Sequence, residues 1–441
     1  MKKSESLRGE FTRAHAWYAV AILTLANVSG SVDRQILSLL VTPIKRDLHV
    51  TDTQLSLLMG LSFVVFYSVL GLPIGRWVDR GRRPLIVALG AAVWSVLTAA
   101  SGLARTFGQL FAARVGVGIG EATLGPAAVS IIADTFPPRR LGTAMSVYML
   151  GTFFGSGVGY ALSAWVVGAI DAPGFITLPI VGDIRPWQTI FFMVGLPGVV
   201  VALLALTMRV PARLTAEGAT DIGVPLREVL AYVRRNARTI VGLSLGFACS
   251  ASVNYGILSW LATFFVRTHG WTIQHAGTVQ GILTMIFGVI GTLGGGRLTD
   301  YWAARGITDA PIRVGIMGAV GMLVFAGLYP AVSSANVAAA LLIPVNIFAA
   351  LPWGAANAAI AQAMPSRMRG QGSALYQLVV NLLSGALGPT AVALLTDKVF
   401  GNESSLRWSL VVCTVVGMTF TIALLSWARP AFRKTVLSRD G

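Results

Sequence analysis

Long apolar runs dominate this chain, and short polar breaks cut them into pieces long enough to cross a bilayer. Mostly apolar segments lie near 16–40, 53–75, 84–104, 108–133, 141–169, 188–208, 239–266, 275–296, 312–332, 335–362, 371–396 and 405–428. A spanning helix needs roughly 20 such residues to cross roughly 30 Å of hydrocarbon. The stretch 312–362 is interrupted only at Val332 to Asn336. It is read as two spans, because 51 residues of continuous helix would reach about 76 Å. The pattern therefore predicts an all-α membrane protein with twelve transmembrane helices. The 49 glycines and 19 prolines fit this reading, since membrane helices use both at close contacts and kinks.

Composition agrees. Of 441 residues, 55% are apolar and 12% charged, against about 25% charged in soluble domains. Soluble, disordered, collagen-like, coiled-coil and disulfide-scaffold classes are excluded. The net charge of +16 would suggest nucleic acid in a soluble protein, but its placement gives another explanation. With the N-terminus inside, 25 of 34 Lys and Arg fall in inside segments, seven in outside loops, and two, Arg34 and Arg114, within spans. Basic residues gather on the cytoplasmic side, so both termini are expected there, in a multi-pass protein of a bacterial inner membrane. No nucleic-acid partner is expected. The start of the chain shows no cleavable signal pattern.

The expected organisation is a cytoplasmic segment 1–15, a six-helix bundle 16–208, a cytoplasmic linker 209–238, a second six-helix bundle 239–428 and a cytoplasmic tail 429–441. The linker, the longest polar stretch, reads equally as an amphipathic surface helix or as a solvated connection. Cys249 and Cys413 sit in apolar runs and the four histidines have no metal spacing, so no disulfide, metal or cofactor is expected. No G-x-x-x-x-G-K-S/T loop is present, and no Ser, His and acid constellation suggests catalysis. The chain reads as a non-enzyme. Asn402-Glu403-Ser404 is a glycosylation sequon with meaning only in a eukaryotic secretory pathway.

The two halves echo one another. Gly75-Arg76-Trp77-Val78-Asp79 ends the second span and Gly296-Arg297-Leu298-Thr299-Asp300 the eighth, both G-R-x-x-D, 221 residues apart. Phe136-Pro137-Pro138-Arg139 and Met364-Pro365-Ser366-Arg367 form a second pair, offset by 228. Paired six-helix halves are a transporter signature. The loop from Gly75 through Asp79, Arg80 and Arg83 resembles the signature loop of the major facilitator superfamily, either with one residue missing or with Arg82 where glycine is usual and Pro84 at the last basic position. Arg114 to Glu121 is similar to that superfamily's R-x-x-x-G-x-G helix. Asp33-Arg34, Gly120-Glu121-Ala122, Pro126 and Ala133-Asp134-Thr135-Phe136-Pro137 resemble its Spinster branch most. The resemblance implies the major facilitator fold and proton-linked export of lipid-like amphiphiles, such as lysophospholipids or sphingosine phosphate. The organic-anion symporter branch shares the Asp-Arg pair of the first span.

Four ionisable residues lie within the spans, all in the first half: Asp33, Arg34, Arg114 and Glu121. Charges at bilayer depth cost about 2.5–3.5 kcal/mol each on insertion scales and persist only when paired or facing water. Arg114 and Glu121 stand two turns apart on one helix face, about 10 Å along the axis, with Gly118 and Gly125 on the same stripe. One reading is a static ion-pair network that orders the bundle. The other is a coupling site. There, Arg34 and Arg114 bind an anionic group bidentately, and Asp33 or Glu121 takes up a proton when its arginine is engaged. The proton would be the coupling ion.

The seventh, tenth, eleventh and twelfth spans hold no Asp, Glu, Lys or Arg in their cores but carry Asn254, Tyr255, Trp260, Asn346, Trp353, Asn357, Gln377 and Asn381. Of these, Asn254, Tyr255, Trp260, Asn357, Gln377 and Asn381 are the candidate substrate contacts. A wall of charge facing a wall of amides and aromatics suits a small amphiphilic substrate; any single one of these residues is more often a packing contact or a helix–helix hydrogen bond. For gating, Asp79 would accept hydrogen bonds from the start of the eleventh helix, and Arg83 would pair with Asp134. Gly296, Asp300 and Arg305 would repeat the arrangement in the second half. In the fifth span, Gly151, Gly155 and Gly159 form a small-residue face for close packing. The sequence thus predicts a monomeric secondary transporter, partnered by membrane lipids, that exports an amphiphile. A proton symporter of small organic anions and a non-transporting receptor or scaffold are the competing readings.

Overall fold

Twelve long helical stretches follow the twelve apolar runs in order. The computed structural model describes residues 13–136, 138–169, 176–178, 182–210, 225–365 and 368–440, and not the side chains of Gly75, Asp79 and Arg80 among them. The first span is α1 (Arg13–Leu39), followed by a short α2 (Val41–Leu48). The second is α3 (Asp52–Met59) with α4 (Leu61–Arg80), and the third is α5 (Arg83–Ser101). The fourth is α6 (Phe107–Glu121) with α7 (Leu124–Thr135), the fifth α8 (Pro138–Ala169) and the sixth α9 (Pro186–Thr207). After α10 (Leu226–Arg235) come α11 (Ala237–His269), α12 (Ile273–Ala304) and α13 (Ala310–Leu328). The tenth span is α14 (Ala335–Ala350) with α15 (Pro352–Ala363). The eleventh is α16 (Arg369–Leu394) with a π-helical turn, Leu395–Phe400, and the twelfth ends in α17 (Leu406–Asp440).

Among the described residues, ten of these stretches are long and apolar enough to cross a membrane. The other two are α1 and α8, of 27 and 32 residues. In α1, Asn27, Ser31, Asp33 and Arg34 lower the apolar content of a helix otherwise built to span. The break expected between the ninth and tenth spans falls at 329–334, between α13 and α14.

Local chemistry sets the boundaries. Thr51 and Gln54 form a reciprocal capping box that starts α3, with Gln54 N donating to Thr51 Oγ1 at 3.1 Å and Thr51 N to Gln54 Oε1 at 2.9 Å. Proline occupies the first turn of α5, α9, α13 and α15, where its missing N–H is not needed. Gly270, at φ +66°, closes α11 in the left-handed conformation.

One feature was absent from the sequence reading: a two-stranded antiparallel hairpin between the fifth and sixth spans. In it β1 (Ile176–Leu178) pairs with β2 (Gly182–Ile184), Ile176 opposite Ile184. Just after the hairpin, Arg185 Nη1 and Trp187 Nε1 donate to the buried Asp47 carboxylate after α1, at 3.1 and 2.8 Å.

The chain divides into two compact units: Met1–Ala219 with Ile273–Gly281, and Thr220–Thr272 with Ile282–Gly441. In the first, the glycine face expected on α8 meets α1. A Cβ at Gly155 would lie 2.8 Å from the Val28 Cα, and one at Gly159 would lie 2.9 Å from the Val32 Cα. Asn27 Nδ2 secures this pair by donating to Tyr148 O and Thr152 Oγ1, both at 3.0 Å. In the second unit α11 packs against α16 and α17. There α10, the part of the expected linker that is described, docks through buried Val229, and the Tyr232 hydroxyl donates to Ala363 O at 2.9 Å. Residues 211–224 of that linker lie outside the described residues.

Candidate functional site: two buried acid–arginine pairs

The four charges within the spans of the first unit form two cross-helix pairs, each joining α1 to α6. Asp33 is 2% exposed and Arg114 1%. Arg114 Nη1 donates to Asp33 Oδ2 at 2.8 Å, and Thr98 Oγ1 of α5 donates to the other carboxylate oxygen at 3.0 Å. Asp33 is therefore satisfied on both oxygens. Arg34 Nη1 donates to Glu121 Oε2, and Arg34 Nη2 to Ser31 Oγ at 2.9 Å. The Arg34 guanidinium also lies 5.7 Å from the centre of the Phe63 ring.

The two pairs differ in a way that matters chemically. Arg114 and Asp33 are both sealed, whereas the Arg34 side chain is 25% exposed against 2% for Glu121. Among the described residues, Glu121 Oε1 is buried with no hydrogen-bond partner, as is Arg114 Nε. A buried carboxylate oxygen without a donor is costly in its charged form. Glu121 thus combines an arginine that reaches solvent with an oxygen free to carry a proton.

Helix geometry makes this possible. Glu121 is the last residue of α6; Ala122 and Thr123 form a turn before α7, where Pro126 lacks the N–H of a continuing helix. Gly30 lies beneath the carboxylate: a Cβ there would stand 3.1 Å from Glu121 Oε2. Gly118 lets α6 meet α4, since its Cβ would fall 2.7 Å from Phe63 O. Gly125 has open space up to the Tyr67 hydroxyl, 3.5 Å away. Gly30, Ser31, Phe63 and Thr98 were not found from sequence. The only signal for Gly30 and Ser31 was position, four and three residues before Arg34 on the same helix face.

The expected gate contact is present. Arg83 Nη1 donates to Asp134 Oδ2, and also to Ser130 Oγ at 3.1 Å and Ser130 O at 3.2 Å. Of Gly75, Asp79 and Arg80 only the helical backbone is described. In the second unit the expected repeat differs. Arg305 sits over the Tyr301 ring at 4.1 Å, and Asp300 is exposed, with no ion pair among the described residues. Gly296 has open space where a Cβ would stand.

The buried acid of that unit is instead Asp309, at the start of α13. It is wholly buried and receives Arg313 Nε at 3.2 Å, Arg433 Nη2 at 3.1 Å and Arg429 Nε. Burial pushes its carboxyl up, but hydrogen bonds from Arg429 and Arg433 and the charges of Arg429 and Arg313 outweigh it, so Asp309 titrates below its usual range. In the sequence these arginines carry only a topology signal.

Of the expected substrate contacts, Trp260 is corrected. It is fully buried, and its Nε1 donates to Pro389 O at 3.0 Å, locking α11 to the α16 kink. A ring with its one polar atom satisfied inside a helix contact is a packing element. Asn254, Tyr255 and Asn381 are half-buried, whereas Asn357 and Gln377 are exposed and paired, Gln377 Nε2 to Asn357 Oδ1 at 3.1 Å.

A many-span helical protein with internally repeated halves and charges paired inside a span has the form of a secondary transporter. Residues 23–389 match the Major Facilitator Superfamily, and the chain belongs to that family. A "MFS-type efflux pump" of Mycolicibacterium smegmatis is 29% identical over 96% of this chain and 94% of its own. A "Probable L-galactonate transporter" of Escherichia coli is 26% identical over 93% and 89%. The solved structure of a bacterial homologue of the human lysosomal transporter Spinster, inward-facing and unoccupied, has TM-score 0.81 and 25% identity over 97% and 99%. These relatives are transporters, not enzymes, and the chain is a multi-pass membrane protein.

Two measurements test the site. Asp33→Asn is expected to lower the Tm of detergent-purified protein sharply, since removing one member of a buried pair costs about 3–5 kcal/mol. Asp33→Asn/Arg114→Gln should recover much of that loss; a double variant no more stable than the single would show that the pair is not the unit of stability. The second concerns Asp309. Its folded pKa lies below its ordinary 3.8, so the stability it adds is full above that value and lost as pH falls through the folded one. The Tm penalty of Asp309→Asn should be full at pH 7 and shrink below about pH 4.

Proposed function

We propose that this chain is a proton-coupled secondary transporter, working by alternating access, that exports amphiphiles with an anionic head group of the lysophospholipid or sphingoid phosphate type. The observation that carries this reading is the Arg34–Glu121 pair, with its half-reachable guanidinium and its unpartnered carboxylate oxygen. An anionic head group competes for Arg34, with bidentate geometry available to phosphate. Glu121, losing its counter-charge in a buried setting, then takes a proton. Release of the anion restores the pair and expels the proton, so anion and proton travel in the same direction and an exported anion carries its proton outward with it. Arg114 and Asp33, held by Thr98, act as the fixed neighbour that keeps the site's charge balanced.

The likeness to an efflux pump supports export, and the likeness to the Spinster homologue supports the Spinster branch. The arginine distribution supports cytoplasmic termini in an inner membrane. Gating rests on Arg83 and Asp134. A second reading, symport of small organic anions with the same four charges, is favoured by the L-galactonate relative and by the exposed amide pair of Asn357 and Gln377.

The test is transport into proteoliposomes under an imposed proton gradient, with lysophospholipids, sphingoid phosphates and sugar acids as substrates. Gradient-dependent movement of the anionic amphiphiles is expected, with the gradient dependence abolished in Glu121→Gln. Unchanged gradient-driven transport in Glu121→Gln would sink the coupling assignment. Movement of sugar acids alone would select the second reading.

A further inference from the structure

The second unit gathers more positive charge at one end than its own acids neutralise. Three arginines converge on Asp309: Arg313 from the first turn of α13, and Arg429 and Arg433 from α17. One carboxylate against three guanidinium groups leaves two positive charges in excess. Asp309 is fully buried, yet its arginine side chains remain 37%, 35% and 44% exposed. Each guanidinium carries five N–H donors in a planar fork, and the acid engages only part of them. The buried acid therefore acts as a template that holds three forks together with their remaining donors outward.

The depth of the cluster is set by its neighbours. Trp427, two residues before Arg429, is 49% exposed. Arg238, at the start of α11, lies over its ring at 5.4 Å and donates from Nε to Trp427 O at 3.0 Å. An exposed tryptophan at the end of a spanning helix marks the head-group level. The helix continues past it. The 35 residues of α17 reach about 52 Å, well beyond a hydrocarbon core of roughly 30 Å. The extension stays docked on the unit, through Phe432 at 0% exposure and a Thr239–Thr435 hydroxyl contact of 3.2 Å. The surplus of charge thus stands rigidly at the membrane surface rather than on a swinging tail.

We propose that Arg313, Arg429 and Arg433, assembled on Asp309, form a binding site for the phosphate of an anionic membrane phospholipid. Charge complementarity selects an anion, the forked donors suit phosphate, and the adjacent interfacial tryptophan places that phosphate where lipid head groups lie. No member of the cluster belongs to the paired charges of the first unit, so this site stands independently of the transport reading.

Native mass spectrometry of the full-length protein, titrated with phosphatidylglycerol, phosphatidylcholine or soluble glycerol phosphate, tests it. Arg313→Gln/Arg433→Gln leaves Arg429 on the acid and removes two charges, with Arg234→Gln/Arg235→Gln on α10 as the equal-charge control. Phosphatidylglycerol should bind the native chain in preference to phosphatidylcholine and weaken by roughly thirtyfold in the first variant, at about fivefold per charge, with little change in the control. If the double variant does not fold, Arg433→Gln alone should give about the fivefold loss. Equal loss in the control, equal binding of phosphatidylcholine, or competition by glycerol phosphate at matched concentration would overturn the proposal.

Discussion

A charge inside a membrane-spanning helix has to find a partner, and the first unit is arranged around that requirement. Asp33 and Arg34 are adjacent on α1, so their side chains leave the helix about 100° apart. Each meets a partner of opposite sign on α6, and the two partners stand seven residues apart on one face. The α1–α6 registry thus satisfies both pairs at once. The glycines follow from the same constraint: Gly30 clears room for the Glu121 carboxylate, and Gly118 brings α6 against the α4 backbone. The turn at Ala122 and Thr123 ends α6 beneath the acid that is least well satisfied.

The asymmetry between the pairs separates structure from function. Arg114 and Asp33 are equally buried, and Thr98 fills the second oxygen, so that pair has little reason to open. Arg34 and Glu121 share one contact and leave one oxygen bare. Exchange of the guanidinium between carboxylate and ligand then moves a proton with no large rearrangement of helices. A static network of ion pairs would have no use for this difference. The second unit shows the alternative outcome: Asp309, with three arginines, is over-compensated, and its surplus faces the membrane surface.

Much of this was legible in the sequence because membrane insertion leaves strong marks. Span length, arginine bias, repeated G-R-x-x-D loops and the four intramembrane charges are all one-dimensional signals. The pairing partners were not legible, since the registry of α1 against α6 decides whether Arg34 reaches Glu121 and Asp33 reaches Arg114. Trp260 read as a cavity aromatic because composition cannot tell a ring in a cavity from a ring whose N–H is taken by a kinked helix's carbonyl. Asp309 was missed for the opposite reason. Its partners lie in the next turn and on a helix about 120 residues away in sequence, and in sequence they read as topology signals alone. The hairpin after the fifth span was too short for periodicity to register.

The central claim is that anion binding at Arg34 transfers a proton to Glu121. The most direct test is proton uptake by detergent-purified protein in weakly buffered solution when lysophosphatidic acid is added. The native chain is predicted to take up protons in proportion to bound ligand, and Glu121→Gln to bind without uptake. Ligand binding with no proton uptake by the native chain, or with uptake unchanged in Glu121→Gln, would contradict the account.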